Sequence, residues 1–228
     1  MQIVQRLWPP SKWITVLFIG SLLFLLYWPC LLVKPAGDDW LLITPVRQMI
    51  RTSGIIGAIP QLFTYAIDKF YRPFALVPQL FSQDSFLGLQ AVKLIAVIWL
   101  FVLTRTVGVK LNLPKGWPTI AAFLTVFHQI FVSVITEVDL WGDLFSALAV
   151  VGIILSMVSY AKTDISSLRY QIEVTLWSTL AIFSKESGII CFLIPLLFAL
   201  FNPLSTSTKC RRIYVISSIF PFMIALIY

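Results

Sequence analysis

"FLGLQAVKLIAVIWLFVLT", residues 86–104, decides the fold class. A single charged residue, Lys93, interrupts it. Runs this long and this apolar read as membrane-spanning helices rather than as strands or the core of a soluble domain. The rest of the chain agrees, with 59% of its 228 residues hydrophobic, 12% charged and a mean hydropathy of +0.91. One soluble core cannot hide that much apolar surface. The expected fold is all-α, a polytopic transmembrane helix bundle.

Working outward from this run, the sequence divides into seven apolar segments, at about 12–32, 86–104, 117–136, 141–160, 171–184, 187–202 and 212–228. The first follows a basic start, Arg6 and Lys12, as a signal peptide would. It is too long for a signal core and no small-residue cleavage site follows "YWPC", so it reads as a retained anchor. The fifth and sixth are short, and are expected to tilt or to meet below the surface around Lys185 and Glu186. Cys30, Cys191 and Cys210 form no motif and are spread over the layout, which argues against a disulfide framework.

The charges test this arrangement. With the N-terminus cytoplasmic, the inner segments hold ten cations (Arg6, Lys12, Arg105, Lys110, Lys115, Lys162, Arg169, Lys209, Arg211 and Arg212) against Asp164 and Glu173. The outer segments hold six cations against eight carboxylates, namely Asp38, Asp39, Asp68, Asp84, Glu137, Asp139, Asp143 and Glu186. That is the positive-inside pattern. Lys93 alone stands mid-span and is expected to pair within the bundle or to snorkel. The net charge of +7 is thus distributed by topology and does not call for a nucleic-acid partner.

The clustering of acids on one side favours an outer-face site over mere solubilisation, because ionisable groups near the bilayer are costly. The first outer segment, about 33–85, is also far longer than a connector needs to be. Within it "WLLITPVRQMIRTSGIIGAI" and "PQLFTYAIDKF" show helical apolar spacing. They are expected to form two amphipathic interfacial helices punctuated by Pro60 and Pro73. Such a loop suits a lipid head group, or alternatively a lid or packing belt.

Four outer motifs follow one another: "GDDW" at 37–40, "FYRPFAL" at 70–76, "FHQIFVSVITEVDLWGDLFSAL" at 127–148 and "FSKESGII" at 183–190. In this order the chain resembles the GT-C superfamily of polytopic membrane glycosyltransferases. It is most similar to bacterial relatives of the transmembrane-and-TPR O-mannosyltransferases. The resemblance rests on Asp38-Asp39 after the first span, Tyr71-Arg72-Pro73 before the second, His128 with Asp143-Leu144-Phe145 across the third-to-fourth turn, and Lys185-Glu186 before the sixth. The sequence departs from the family's His-Pro-x-His-x-Glu pattern, since Gln129, Phe131 and Ser133 stand where Pro, His and Glu are usual. Glu137 or Asp139 would restore the carboxylate only in a shifted alignment.

The resemblance implies inverting transfer of a sugar from a polyprenyl-phosphate-linked donor to an acceptor hydroxyl, on the outer face of a bacterial inner membrane. The nucleophile must lose a proton, so a positioned carboxylate acts as general base. That role falls to Asp38, with Asp39 inseparable from it. The leaving phosphate needs cations. Arg72, whose guanidinium clamps phosphate in bidentate fashion, is the first choice and Lys185 the second. Tyr71, Glu186 and Asp143 complete the substrate-binding set. Asp39, His128 and Asp143 are the candidate ligands if a divalent metal takes part, at no diagnostic spacing.

Each residue also has a plainer reading. Gly37-Asp38-Asp39 would cap a helix beginning at "WLLI". Lys185 would pair with Glu186 or another outer acid, Tyr71 would be an interfacial tyrosine, and His128 a hydrogen-bonded core residue.

The chain reads as a single module over 1–228, ending inside an apolar run, "PFMIALIY". The variable C-terminal module and TPR repeats of the resembled enzymes are expected to be absent, and a membrane-protein partner would supply the missing part. A non-catalytic lipid-binding or assembly subunit on the same scaffold is the runner-up. A transporter, which would want ionisable groups at mid-membrane, ranks last.

Overall fold

The computed structural model describes residues 10–34, 39–66, 72–81, 86–127, 140–162, 165–201 and 207–227. Asp38, Tyr71 and His128 lie outside these, as do Gln129, Phe131, Ser133, Glu137 and Asp139, and the side chain of Glu186 is not described. The described residues are helical, with no strand among them.

Helix α1 runs Pro10–Tyr27 and continues as a 3-10 turn, Trp28–Leu32. Helix α2 covers Asp39–Leu62, and the four-residue α3 covers Pro73–Leu76. Then come α4 (Phe86–Lys110), α5 (Trp117–Val126), α6 (Trp141–Ala161) and α7 (Ser167–Ile182). A 3-10 stretch at Glu186–Phe192 leads into α8 (Leu193–Phe201), and α9 covers Thr208–Ile227. Every one of the seven apolar segments therefore carries helix. Helices α4 and α6 are long and apolar enough to cross a membrane, with mean hydropathies of 2.3 and 2.2.

Local sequence explains the turns between helices. Helix α4 runs past residue 104 to Lys110 and closes where Asn112 takes a left-handed conformation (φ 57°) and the Leu113 N–H donates to Gly108 O. Gly108 lets Pro118 approach closely, since a Cβ there would meet it at a tight 3.0 Å. Helix α5 can therefore fold straight back onto α4. Ser166 caps α7, its side chain accepting from the Arg169 N–H. Gly152 of α6 lies flat against the Trp177 ring of α7, where any Cβ would collide with the indole.

Buried hydroxyls tie the bundle together across long sequence separations. Tyr27 donates to Val126 O at 2.6 Å, joining α1 to α5. Tyr214 of α9 donates to Met157 O of α6 at 3.0 Å, and Tyr170 and Ser217 share a hydrogen bond of 2.9 Å. Tyr160, Tyr170 and Tyr214 pack ring on ring around these bonds.

The outer segment departs from its sequence reading in one respect. Its two expected interfacial helices, divided at Pro60, are one helix broken elsewhere. Gly54 (φ 70°, ψ 173°) breaks α2, and Pro60 sits inside the second leg. A positive φ is a conformation that glycine adopts without steric penalty. The Gln61 side-chain amide donates to Ser53 Oγ at 2.9 Å and so pins the second leg against the first. The helix then stops at Leu62, so residues 60–66 supply the end of α2 and a turn, and the rest of "PQLFTYAIDKF", 67–70, lies outside the described residues. Pro73 does open α3, as a proline suits the first turn of a helix.

Candidate functional site

The start of α6 and the end of α7 build the centre of the candidate site. Asp143 lies in the first turn of α6, where a carboxylate complements the helix dipole. Next to it, Gly142 admits the backbone of Ser184, whose carbonyl would lie 2.5 Å from any Cβ at that position. Beyond α7 the chain turns sharply: the Lys185 N–H donates to Ala181 O, and the Gly188 N–H donates to Lys185 O at 2.8 Å. Gly188 packs so closely on the Ala181 carbonyl that no side chain fits. "SKESG" thus holds Lys185 extended (φ −158°, ψ 148°), and its ammonium donates to Asp143 Oδ2 at 2.5 Å.

The Arg72 segment joins the same place. The Phe74 N–H donates to Phe183 O at 3.2 Å, and the Phe74 ring packs edge-on against both Phe63 and Phe183. Arg72 and Lys185 each stand two residues along the chain from that hydrogen bond.

Asp39 opens α2 and is buried. Its neighbours anchor it to the same end of the bundle. Trp40 meets Phe86 edge-on, while Leu42, Ile43 and Val46 pack with Leu76, Leu89 and Trp141. Arg47, one of the outer cations, lies over the Trp40 and Phe86 rings at 5.7 and 4.9 Å. Between the two legs of α2 is an open cavity of about 650 Å³ lined by Trp40, Thr44, Gln48, Thr52, Gln61 and Tyr65 among others. Among the described residues its wall offers aromatic faces, hydroxyls and amides and no charged side chain.

One cation was not among the expected site residues. Lys93 is fully buried, with Nζ 5.5 Å from the Trp141 ring, and Trp141 stacks on Phe145. It therefore does not snorkel. It lies under the residue that precedes Gly142-Asp143. The sequence signal for it was an ionisable group alone in an apolar run.

No protein-family model, no curated protein and no solved structure matches this chain.

The structure thus joins Asp143 to Lys185, ties the segment that follows Arg72 to the residue two before Lys185, and puts Asp39 at the same end of the bundle. The plainer reading of Lys185, an ion pair with a neighbouring acid, is also what is seen, with Asp143 as its partner. Among the described residues no three His, Cys, Asp or Glu side chains gather as a metal site. Of the candidate ligands, Asp143 is engaged by Lys185, Asp39 is buried at the start of α2, and His128 is outside the described residues.

Chemically, this end of the molecule holds the Lys185 ammonium on the Asp143 carboxylate, with Asp39 and Arg72 on elements packed at the same end. That arrangement suits a ligand with a phosphate and a reacting hydroxyl.

Proposed function

We propose that this chain is a membrane glycosyltransferase module that uses a polyprenyl-phosphate sugar. The observation that carries the reading is the Lys185–Asp143 ion pair, flanked by the Phe74–Phe183 backbone hydrogen bond. It joins two residues that the resemblance assigned to one site, and the hydrogen bond ties the segment after Arg72 to the same turn. In this reading the seven apolar segments cross the membrane with the N-terminus cytoplasmic, and the site faces the outer side. Exposed Leu41, Ile55, Ile56 and Ile59 on α2 support contact with the lipid surface there.

The first-loop carboxylate, Asp38 or Asp39, takes the proton of the acceptor hydroxyl. The oxygen attacks the anomeric carbon from the side opposite the phosphate, and the glycosidic C–O bond breaks. The electron pair leaves with the polyprenyl phosphate, whose charge Arg72 and Lys185 stabilise. Asp143 aims Lys185, which keeps N–H donors for the phosphate oxygens. The aromatic and amide-lined cavity beside Asp39 suits a sugar or its acceptor, and its volume falls in the usual range for ligand sites.

The test is transfer from a radiolabelled polyprenyl-phosphate sugar to membrane acceptors, comparing wild type with Asp38→Asn and Asp39→Asn. Transfer by wild type that collapses in one of the two variants supports the reading and names the base. Equal transfer by all three removes the first-loop acids from the chemistry. No transfer by wild type favours the lipid-binding or assembly subunit.

A further inference from the structure

At the other end of the bundle a second polar group meets the apolar surface. Glu173 lies inside α7 rather than in a loop. Ser156 of α6, itself buried, donates to Glu173 Oε2 at 2.7 Å. Arg169, one turn earlier on α7, donates from Nε to Glu173 Oε1 at 2.8 Å. The guanidinium is 67% exposed and the carboxylate 28%. Two hydrogen bonds from two helices thus fix a carboxylate in place, and an exposed guanidinium stands beside it.

That carboxylate lines the end of a groove. A cavity of about 490 Å³ runs from Ser156 and Glu173 past Leu176 and Trp177. It shares Trp99, Trp177 and Leu180 with a second cavity of about 290 Å³, lined by apolar side chains alone, that ends at Phe145. From Phe145 to Ser156 the α6 wall rises about 16 Å at 1.5 Å per residue. The groove is therefore long and narrow, apolar along its length, and charged at one end. Its rim faces outward, with Trp99 and Leu176 more than half exposed. Gly152 contributes directly, because its lack of a side chain lets the Trp177 indole lie back against α6 and line both cavities.

We infer that this groove binds a phospholipid with a primary-amine head group, of the phosphatidylethanolamine type. One acyl chain lies along Leu176, Trp177, Leu180 and Trp99 toward Phe145. The ammonium donates to Glu173, whose two oxygens each retain a lone pair beyond those taken by Ser156 and Arg169. The phosphate oxygens accept from the Arg169 guanidinium, which donates in a planar fork. The alternating carboxylate and guanidinium thus mirror the ammonium and phosphate of a zwitterion. A purely anionic head group would face the Glu173 charge. A choline head group has no N–H to donate to it.

The site is remote from Asp143 and Lys185, at the end of α7 that carries Arg169, and does not depend on any transferase activity. The experiment uses the full chain reconstituted in discs holding equal parts of dioleoyl phosphatidylethanolamine, phosphatidylglycerol and phosphatidylcholine. The lipid retained after detergent washing is then counted by mass spectrometry. Wild type should retain phosphatidylethanolamine over each of the others by about tenfold. Glu173→Gln should abolish that preference. Equal retention of all three lipids by wild type, a preference for phosphatidylglycerol, or an undiminished amine preference in folded Glu173→Gln overturns the proposal. Should that variant not fold, Leu180→Trp decides, because it fills the groove without touching the ion pair. Loss of phosphatidylethanolamine retention there supports the site, and retention at the wild-type level overturns it.

Discussion

The ammonium of Lys185 reaches the carboxylate of Asp143 across 42 residues of chain, at 2.5 Å. Both side chains are about one-third exposed, so the pair is screened by solvent. A double-mutant cycle with Lys185→Gln and Asp143→Asn should give a stability coupling of only about 0.2–1 kcal/mol. If these residues serve a phosphate site, sugar transfer should fall much further than stability, by more than about tenfold in Lys185→Gln, which is ~1.4 kcal/mol of transition-state binding. Chemical denaturation and transfer assays on the same preparations separate the two effects.

Gly142→Ala should damage the site without removing any polar group. Its Cβ would lie 2.5 Å from the Ser184 carbonyl, a backbone atom that no rotamer change can move aside. The expected cost is about 1–3 kcal/mol, the usual range for overpacking. Gly20→Ala in α1 is the control, since nothing lies within 4 Å of a Cβ there. It should be neutral or stabilising by up to ~1 kcal/mol, because alanine favours helix. Thermal unfolding in detergent reads both variants.

At Gly152 the obstacle is a side chain, so rescue should be obtainable. Gly152→Ala alone should destabilise by about 1–3 kcal/mol, because its Cβ collides with the Trp177 indole. Combining it with Trp177→Leu should cost less than the sum of the two single changes, since the residues are in contact. A strictly additive pair, measured by denaturant unfolding, would contradict the close packing of α6 on α7.

The tyrosine contacts of α9 offer a test of the core. Tyr214→Phe removes the hydroxyl that donates to Met157 O, and Tyr170→Phe removes the bond to Ser217. Each should cost about 0.5–1.5 kcal/mol, the net worth of a typical hydrogen bond. Tyr65, which lines the exposed α2 cavity, should tolerate the same change within about 0.5 kcal/mol.

The helices were legible because hydropathy is a local property. Each apolar segment carries helix, and even the early proline at 73 marks a real helix start. What failed depended on partners distant in the chain. Pro60 looked like a boundary, but Gly54 supplies the break, and the Gln61–Ser53 bond that holds the two legs cannot be read from either residue alone. Lys93 was expected to pair within the bundle or to snorkel, and its burial against Trp141 decides against snorkelling. Charge counting listed Glu173 only among the acids, and its hydrogen bond with Ser156 on a neighbouring helix is tertiary. Within the candidate site, Arg72, Asp143 and Lys185 were picked out by residue type and order. Their meeting is tertiary, and it turns on glycines whose only signal is the absence of a side chain.

The Phe74–Phe183 hydrogen bond also sets a timetable. A chain emerging from the ribosome at roughly 5–20 residues per second exposes its first-loop segment on the order of ten seconds before the Phe183 carbonyl exists. During that interval α3 has no partner for its Phe74 N–H, and Arg72 has no Lys185 turn beside it. The site is therefore among the last parts of the molecule to assemble. Premature termination anywhere before Phe183 would leave the earlier helices made and the site unformed.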